Sequence, residues 1–205
     1  MIALVDYGAG NLASVCKALA VAGTEARIAR DPGELADASG VIVPGVGHFQ
    51  ATAAIDDAWR EGIVDRLGNG RPLFGICLGM QWLFEGSAEA PDQPGLGVLA
   101  GICTRLAGAD ESGVPLKVPH VGWNLITRCR QSRLLEGVPD TAYVYFTHSY
   151  AAPVTPETVA ATVYGETFAS AVERGQVWGV QFHPEKSGEA GLQILRNFVG
   201  FAESG

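Results

Sequence analysis

Strand-sized apolar runs that alternate with helical patterns predict an α/β fold: an open, mostly parallel sheet with helices on both faces, mixed in its second half. The runs at residues 2–6, 26–29, 41–43 and 72–76 are nearly continuous rather than alternating, as strands buried on both faces require, and helical stretches separate them. Beyond residue 98 strand-like runs follow one another closely, which argues for antiparallel pairing there. A chain of 205 residues with 47% hydrophobic composition can bury one sizeable core, and no composition break or repeat divides it, so residues 1–205 are expected to form a single domain.

Each element has a local cause. Ile2-Ala3-Leu4-Val5 closes on Asp6 and the turn residues Tyr7-Gly8-Ala9-Gly10. Behind Asn11, a favourable N-cap residue, Leu12, Val15, Cys16 and Leu19 recur at helical spacing. After the strand at 26–29, Asp31-Pro32 places a cap before a proline at the first helical position. Val41-Ile42-Val43 is expected to end abruptly in the turn Pro44-Gly45-Val46-Gly47, followed by a helix over residues 48–67 and a strand at 72–76. In the second half, strands are expected at 98–106, 116–118, 125–128, 142–146, 159–164, 168–173 and 177–182, and a last helix over 188–201. Residues 90–97, rich in Pro and Gly, form a surface loop. In such sheets ligands bind beyond the carboxyl ends of the strands, so the loop after Asp6, the turn after Val43, the segment at Cys77 and that at His183 should share one edge.

Bulk chemistry excludes several function classes. A formal net charge of -8 with no Lys/Arg cluster leaves no electrostatic footprint for nucleic acid or an anionic membrane. The N-terminal apolar run is too short for a secretion signal and no stretch reaches membrane-spanning length, so a cytoplasmic location is expected. Cysteines 16, 77, 103 and 129 form no C-x-x-C pair and have no histidine at metal spacing, which indicates neither a metal site nor a disulfide framework. Cys16 and Cys103 read as small core residues, and Cys129, between two arginines, as partly exposed.

Cys77 has a constructed setting. In Gly75-Ile76-Cys77-Leu78-Gly79-Met80-Gln81 a strand runs into a sharp turn with glycines two residues to either side of the cysteine, then a helix, as in an elbow that exposes a nucleophile. A thiol at a helix N-terminus ionises more readily, and the Leu78 backbone N–H is a candidate donor to an oxyanion. The Pro44-Gly45-Val46-Gly47 turn is a second candidate, although an ordinary strand-exit turn explains it equally well on sequence alone. Downstream, Trp178, Val180 and Phe182 share one strand parity while Gln181, His183 and Glu185 share the other, so His183 and Glu185 point the same way at a strand end marked by Pro184. A lone His-x-Glu is more often structural. Paired with the Cys77 elbow it reads as a base and its orienter. Gln81, four residues after Cys77, lies on the same helix face, where a carboxamide can read a small polar substrate.

These residues resemble the class I (triad) glutamine amidotransferases. Asp6-Tyr7-Gly8-Ala9-Gly10-Asn11-Leu12, Pro44-Gly45-Val46-Gly47-His48-Phe49, Pro119-His120-Val121-Gly122-Trp123-Asn124, Thr147-His148-Ser149-Tyr150 and His183-Pro184-Glu185-Lys186-Ser187 narrow the likeness, over nearly the whole chain, to the glutaminase subunits of imidazole glycerol phosphate synthases. The resemblance implies that Cys77, His183 and Glu185 are catalytic. It implies that Leu78 and the Gly45-Val46 peptide serve the oxyanion, that Gln81, His148, Ser149 and Tyr150 surround the glutamine, and that Asn11, Trp123, Asn124 and Lys186 face a (βα)8-barrel cyclase subunit in a 1:1 heterodimer. It further implies no cofactor, and a glutaminase nearly idle until the cyclase docks and binds its own ligand. Read from the residues alone, Trp123 and Asn124 are a packing aromatic and a turn residue, Lys186 a solvated charge, and His48 and His120 structural or capping residues. Two other enzymatic readings stay open, a freestanding cysteine hydrolase of γ-glutamyl substrates and the glutaminase subunit of a different amidotransferase. A non-catalytic interaction module is the third, and the intact Cys77-His183-Glu185 set argues against it.

Overall fold

Most of the apolar runs form strands, and the strand order explains how distant segments meet. The computed structural model describes residues 1–204; Gly205, the last residue of the expected domain, lies outside the described residues. In chain order the elements are β1 (Ile2–Val5), α1 (Leu12–Val21), β2 (Ala26–Ala29), β3 (Gly40–Gly45), α2 (Asp57–Gly68), β4 (Leu73–Cys77), α3 (Leu78–Leu83), β5 (Gly86–Ser87), β6 (Ile102–Arg105), β7 (His120–Arg128), β8 (Thr141–His148), β9 (Tyr150–Ala151), β10 (Thr158–Tyr164), β11 (Glu166–Arg174), β12 (Val177–Val180) and α4 (Gly188–Glu203). Nine strands make one sheet in the order β2-β1-β3-β4-β12-β11-β10-β7-β8, and β5, β6 and β9 form a small second sheet. Neighbours from β2 to β12 are parallel, and every later neighbour pair is antiparallel.

Side chains alternate between two cores. Ile2, Leu4, Phe74 and Ile76 pack on one face with Leu19 of α1 and Phe198 of α4. Ala3, Val5, Val43 and Leu73 pack on the other with Trp59 and Ile63 of α2 and Trp82 and Leu83 of α3. Helices therefore cover both faces of the parallel half, as expected from its uninterrupted apolar strands.

Several expected boundaries move, each for a local reason. The helix expected over residues 48–67 is two pieces, a 3-10 helix at Phe49–Ala54 and then α2, because Asp56 caps the Trp59 amide (3.1 Å) and starts a new helix. Asp31 caps only a short 3-10 helix, Pro32–Leu35. β3 continues through Pro44 and Gly45, which pair with Ile76 and Cys77 of β4; β1 pairs with β3 only as far as Ile42, so the missing proline N–H disturbs no ladder on that side. Residues 116–118 form no strand, the run at 98–106 shrinks to β6, and that at 125–128 grows backward to His120 because its whole length finds a partner in β8. The expected helices and strands elsewhere stand within a few residues of their expected ends.

Four parallel strands, β1, β3, β4 and β12, deliver their carboxyl ends to one edge, where the four segments singled out in the sequence converge. β8 stands four places from β12 in the sheet, yet its Tyr145 carbonyl accepts a hydrogen bond from the His183 amide (2.9 Å). The antiparallel half thus curls back and brings the end of β8 to the same edge.

Candidate active site

Cys77 sits at φ 54°, ψ -108° and is the one non-glycine residue with positive φ among the described residues. Such a conformation costs of order 1–3 kcal/mol and persists only when its surroundings over-determine it. They do so here. Gly79 lies so close to β3 that a Cβ there would run into the Val43 carbonyl, and Gly45, paired with Cys77 in register, is packed against the Tyr7 hydroxyl and Leu78. The two glycines let α3 approach the sheet and force the chain to reverse at Cys77. Leu78 opens α3, so its N–H belongs to the first turn, which has no partner within the helix. Gly45 is buried, whereas Val46 is partly exposed beside it.

His183 and Glu185 emerge beyond β12. Nδ1 of His183 donates to Oε1 of Glu185 at 2.9 Å, and both side chains are almost wholly buried. The His183 backbone is tied on both sides, its N–H to Tyr145 and its carbonyl to the Ser187 hydroxyl (2.6 Å). Nε2, with no other protein partner, is left for the Cys77 sulfur beside it. Burial opposes charge on this imidazole, but Cys77 and Glu185 outweigh it and hold its pKa up to about 10. The pair is thus suited to an imidazolium beside sulfur, oriented by a carboxylate.

A cleft of about 290 Å³ opens at Cys77 between Leu78, Gln81, Glu89 and the segment 147–150, within which His148, Ser149 and Tyr150 all line the wall. Gln81 is buried rather than exposed, and both amide hydrogens are committed within the protein, to the Tyr150 carbonyl (2.8 Å) and to Oε1 of Gln181 (3.0 Å). His148 likewise has both ring nitrogens engaged, with the Tyr150 carbonyl and with His120, so neither is free for a ligand. Of the residues expected to face a partner, Trp123 is 56% exposed and edge-on to Tyr145, over whose ring the exposed Lys186 also lies. Asn11 is exposed and caps α1 through the Ser14 amide. Asn124, half-buried, directs its amide to His120 and to the Val163 carbonyl.

Three features escaped the residue-level reading. Gln181 directs its amide at Sγ of Cys77 (3.6 Å); its strand parity with His183 was the available signal. Glu89 accepts from the Phe49 amide (2.7 Å) and ties the loop after β3 to the cleft. Tyr7 is buried with its hydroxyl unpartnered, near enough to Cys77 that the sulfur adds to burial in raising its pKa. The remaining cysteines have no such company: Cys103 is buried with its thiol pushed up by burial, Cys16 is half-buried with a smaller shift of the same kind, and Cys129 is exposed. His48 caps the 3-10 helix at Phe49–Ala54. Among the described residues no three His, Cys, Asp or Glu side chains are grouped to hold a metal, and no helix is long and apolar enough to cross a membrane.

A buried Cys-His-Glu set at the carboxyl edge of a parallel sheet, with the cysteine on a strained elbow, defines an acyl-transfer hydrolase class, and the model of the glutamine amidotransferase class-I family matches residues 3–200. The chain belongs to this family and is a glutamine-hydrolysing enzyme. It is 46% identical to imidazole glycerol phosphate synthase subunit HisH of Thermococcus kodakarensis, over 97% of this chain and 98% of that one. It is 47% identical to the HisH subunit of Halobacterium salinarum, over 98% and 93%. Among solved structures, a crystal structure of a glutamine amidotransferase superposes with a TM-score of 0.75 at 22% identity, covering 99% of this chain and 100% of the other, and shares the fold.

Proposed function

We propose that this chain is the glutaminase subunit of an imidazole glycerol phosphate synthase, acting as one amidotransferase domain in the cytoplasm within a 1:1 heterodimer with a (βα)8-barrel cyclase. The observation that carries the reaction is the buried Cys77-His183-Glu185 constellation opening on a cleft sized for a small polar molecule, and near-full-length likeness to HisH supports the pathway. The Cys77 thiolate attacks the side-chain amide carbon of glutamine. The charge that develops on the amide oxygen is met by the Leu78 N–H and the Gly45-Val46 peptide. His183 gives its proton to the departing nitrogen, ammonia leaves, and a γ-glutamyl thioester remains. Water, activated by the now neutral His183, cleaves the thioester and releases glutamate, and Glu185 keeps the imidazole oriented throughout.

Asn11, Trp123, Asn124 and Lys186 receive the cyclase, which takes the ammonia before water protonates it. The test is glutamate release from glutamine by the purified chain, alone and with a cyclase subunit plus its nucleotide ligand, with Cys77→Ala as control. A low basal rate that rises by orders of magnitude only in the complete mixture supports the proposal. Strong turnover without the cyclase overturns the partner-gated reading in favour of a freestanding hydrolase.

A further inference from the structure

A continuous chain of hydrogen bonds joins β7 to the sulfur of Cys77, and one carbonyl settles the direction of nearly every link. Nδ1 of His148 lies 2.9 Å from the Tyr150 carbonyl oxygen, which can only accept, so this nitrogen carries the hydrogen and Nε2 of His148 is an acceptor. Nδ1 of His120, 3.1 Å from that Nε2, is then a donor, and Nε2 of His120 accepts from the Asn124 amide at 3.3 Å. From the other side the Tyr150 carbonyl also accepts from Nε2 of Gln81 (2.8 Å). The second hydrogen of that amide goes to Oε1 of Gln181 (3.0 Å), and the Gln181 amide reaches Sγ of Cys77 (3.6 Å).

We propose that His120 is a positioning residue for glutamine hydrolysis: as its Nδ1–H tautomer it orients His148, and through the Tyr150 carbonyl it fixes the carboxamides of Gln81 and Gln181 against Cys77. This role rests on the glutaminase reading above. It also gives β7, which carries the exposed Trp123, a physical connection to the cleft. The chain needs both histidines neutral, since each must offer one donor and one acceptor. Burial supplies that condition, holding His120 down to about 4; it holds His148 down to about 3 against the opposing Tyr150 hydrogen bond, with His120 and His183 adding to the lowering. His120 is itself clamped, stacked on Tyr164 at 4.0 Å and on Phe146 at 4.8 Å between ring centroids.

The competing explanation is that His120 is merely one more ring in this aromatic cluster, in which case phenylalanine serves as well. His120→Phe keeps the stacking and deletes the donor, whereas His120→Asn returns an amide N–H near the place of Nδ1. With the cyclase subunit and its ligand present, His120→Phe is expected to raise KM for glutamine about tenfold with a smaller fall in kcat, and His120→Asn to recover most of the loss. Nitrogen-15 NMR of the histidine-labelled wild-type chain at neutral pH reads the chain of bonds without any variant: His148 should show a protonated Nδ1 and a bare Nε2. A His148 protonated on Nε2, or a His120→Phe variant equal to wild type in KM and kcat, overturns the inference. A wild-type chain that releases no glutamate even with the cyclase overturns the glutaminase reading instead, and the two failures are told apart because in the first the wild type still turns over.

Discussion

The parallel half of the sheet and its antiparallel half differ in what they leave to water. β1, β3, β4 and β12 are buried at every position, whereas β8 alternates buried residues with more exposed ones and β7 buries only His120 and Ile126. Cys77, His183 and Glu185 all come from the ends of the buried strands. The antiparallel half supplies one wall of the cleft and an exposed apolar face bearing Val121, Trp123, Tyr143 and Val163. A strained residue such as Cys77 must be held from all sides, and only a region covered on both faces can do that. Recognition of a partner needs the reverse, a rigid surface with apolar side chains left in solvent.

The largest effects should follow from breaking the buried half. Cys77→Ala is expected to lower stimulated glutamate release by roughly 10³-fold or more, and Glu185→Gln by about 10²- to 10⁴-fold, since the latter leaves the imidazole without its orienting charge. Stability should move differently from activity. Cys77→Gly and Cys77→Ala both remove the sulfur, but only glycine is at ease at φ 54°, so the glycine variant should be the more stable of the two by about 1–2 kcal/mol in chemical denaturation. Equal midpoints would mean that the elbow is not strained, and the contrast between the halves would lose its basis.

In the exposed half the expected loss is one of association. Trp123→Ala should weaken binding of the cyclase by about ten- to a hundredfold in titration calorimetry, as for a central aromatic at an interface, while shifting the unfolding free energy by only about 0.5 kcal/mol. A large fall in stability with unchanged affinity would return Trp123 to the role of a packing aromatic.

The two halves also answer pH with opposite signs. The folded pKa of His183 is raised to about 10, so its contribution to stability is complete below the unfolded value near 6.5 and is lost as pH rises through about 10. His120 and His148 are lowered, to about 4 and about 3. Their neutral forms contribute fully above pH 6.5, and the contribution fades as pH falls toward 4, because the unfolded chain takes up protons that the fold refuses. Urea midpoints measured across pH should therefore fall on both sides of neutrality. Glu185→Gln should make the alkaline limb shallower, Cys77 sustaining the rest, and His120→Phe the acid limb, His148 sustaining the rest, each leaving the other limb in place.

The buried half was the more legible in the sequence. Uninterrupted apolar runs announce strands covered on both faces, and Gly75, Cys77 and Gly79 spell a reversal whose cause is steric, so the elbow and its neighbour His183 follow from residue types alone. The antiparallel half was harder to read. A strand that is half exposed draws its limits from its partner, which is why β7 begins at His120 rather than at residue 125. Even beside the parallel strands a local contact can override a pattern: the helix expected over 48–67 splits at Asp56, whose carboxylate competes as a cap in a way that helical spacing does not weigh. Gln81 and His148 are committed inside the protein because Tyr150, on a separate short strand, happens to offer its carbonyl to both. That meeting depends on the curl of the sheet, which no spacing in the sequence encodes.

The smallest predicted effect tests how complete the buried half already is. Tyr7 lies against Gly45, its hydroxyl has no partner, and burial followed by the Cys77 charge raises its pKa. An unpaired buried hydroxyl is a cost, so Tyr7→Phe should be neutral or stabilising by up to about 1 kcal/mol in thermal unfolding of the isolated chain. Activity separates two situations. If the resting arrangement at Gly45 is also the reacting one, the hydroxyl stays unpaired and stimulated glutamate release should be unchanged within about twofold. If the Gly45-Val46 peptide turns when the cyclase docks, a backbone group beside Tyr7 changes direction and the hydroxyl gains a partner only then. Tyr7→Phe would in that case stabilise the free chain and yet slow the stimulated reaction, and the difference between the two measurements would locate the moving part in the half of the sheet that is otherwise held rigid.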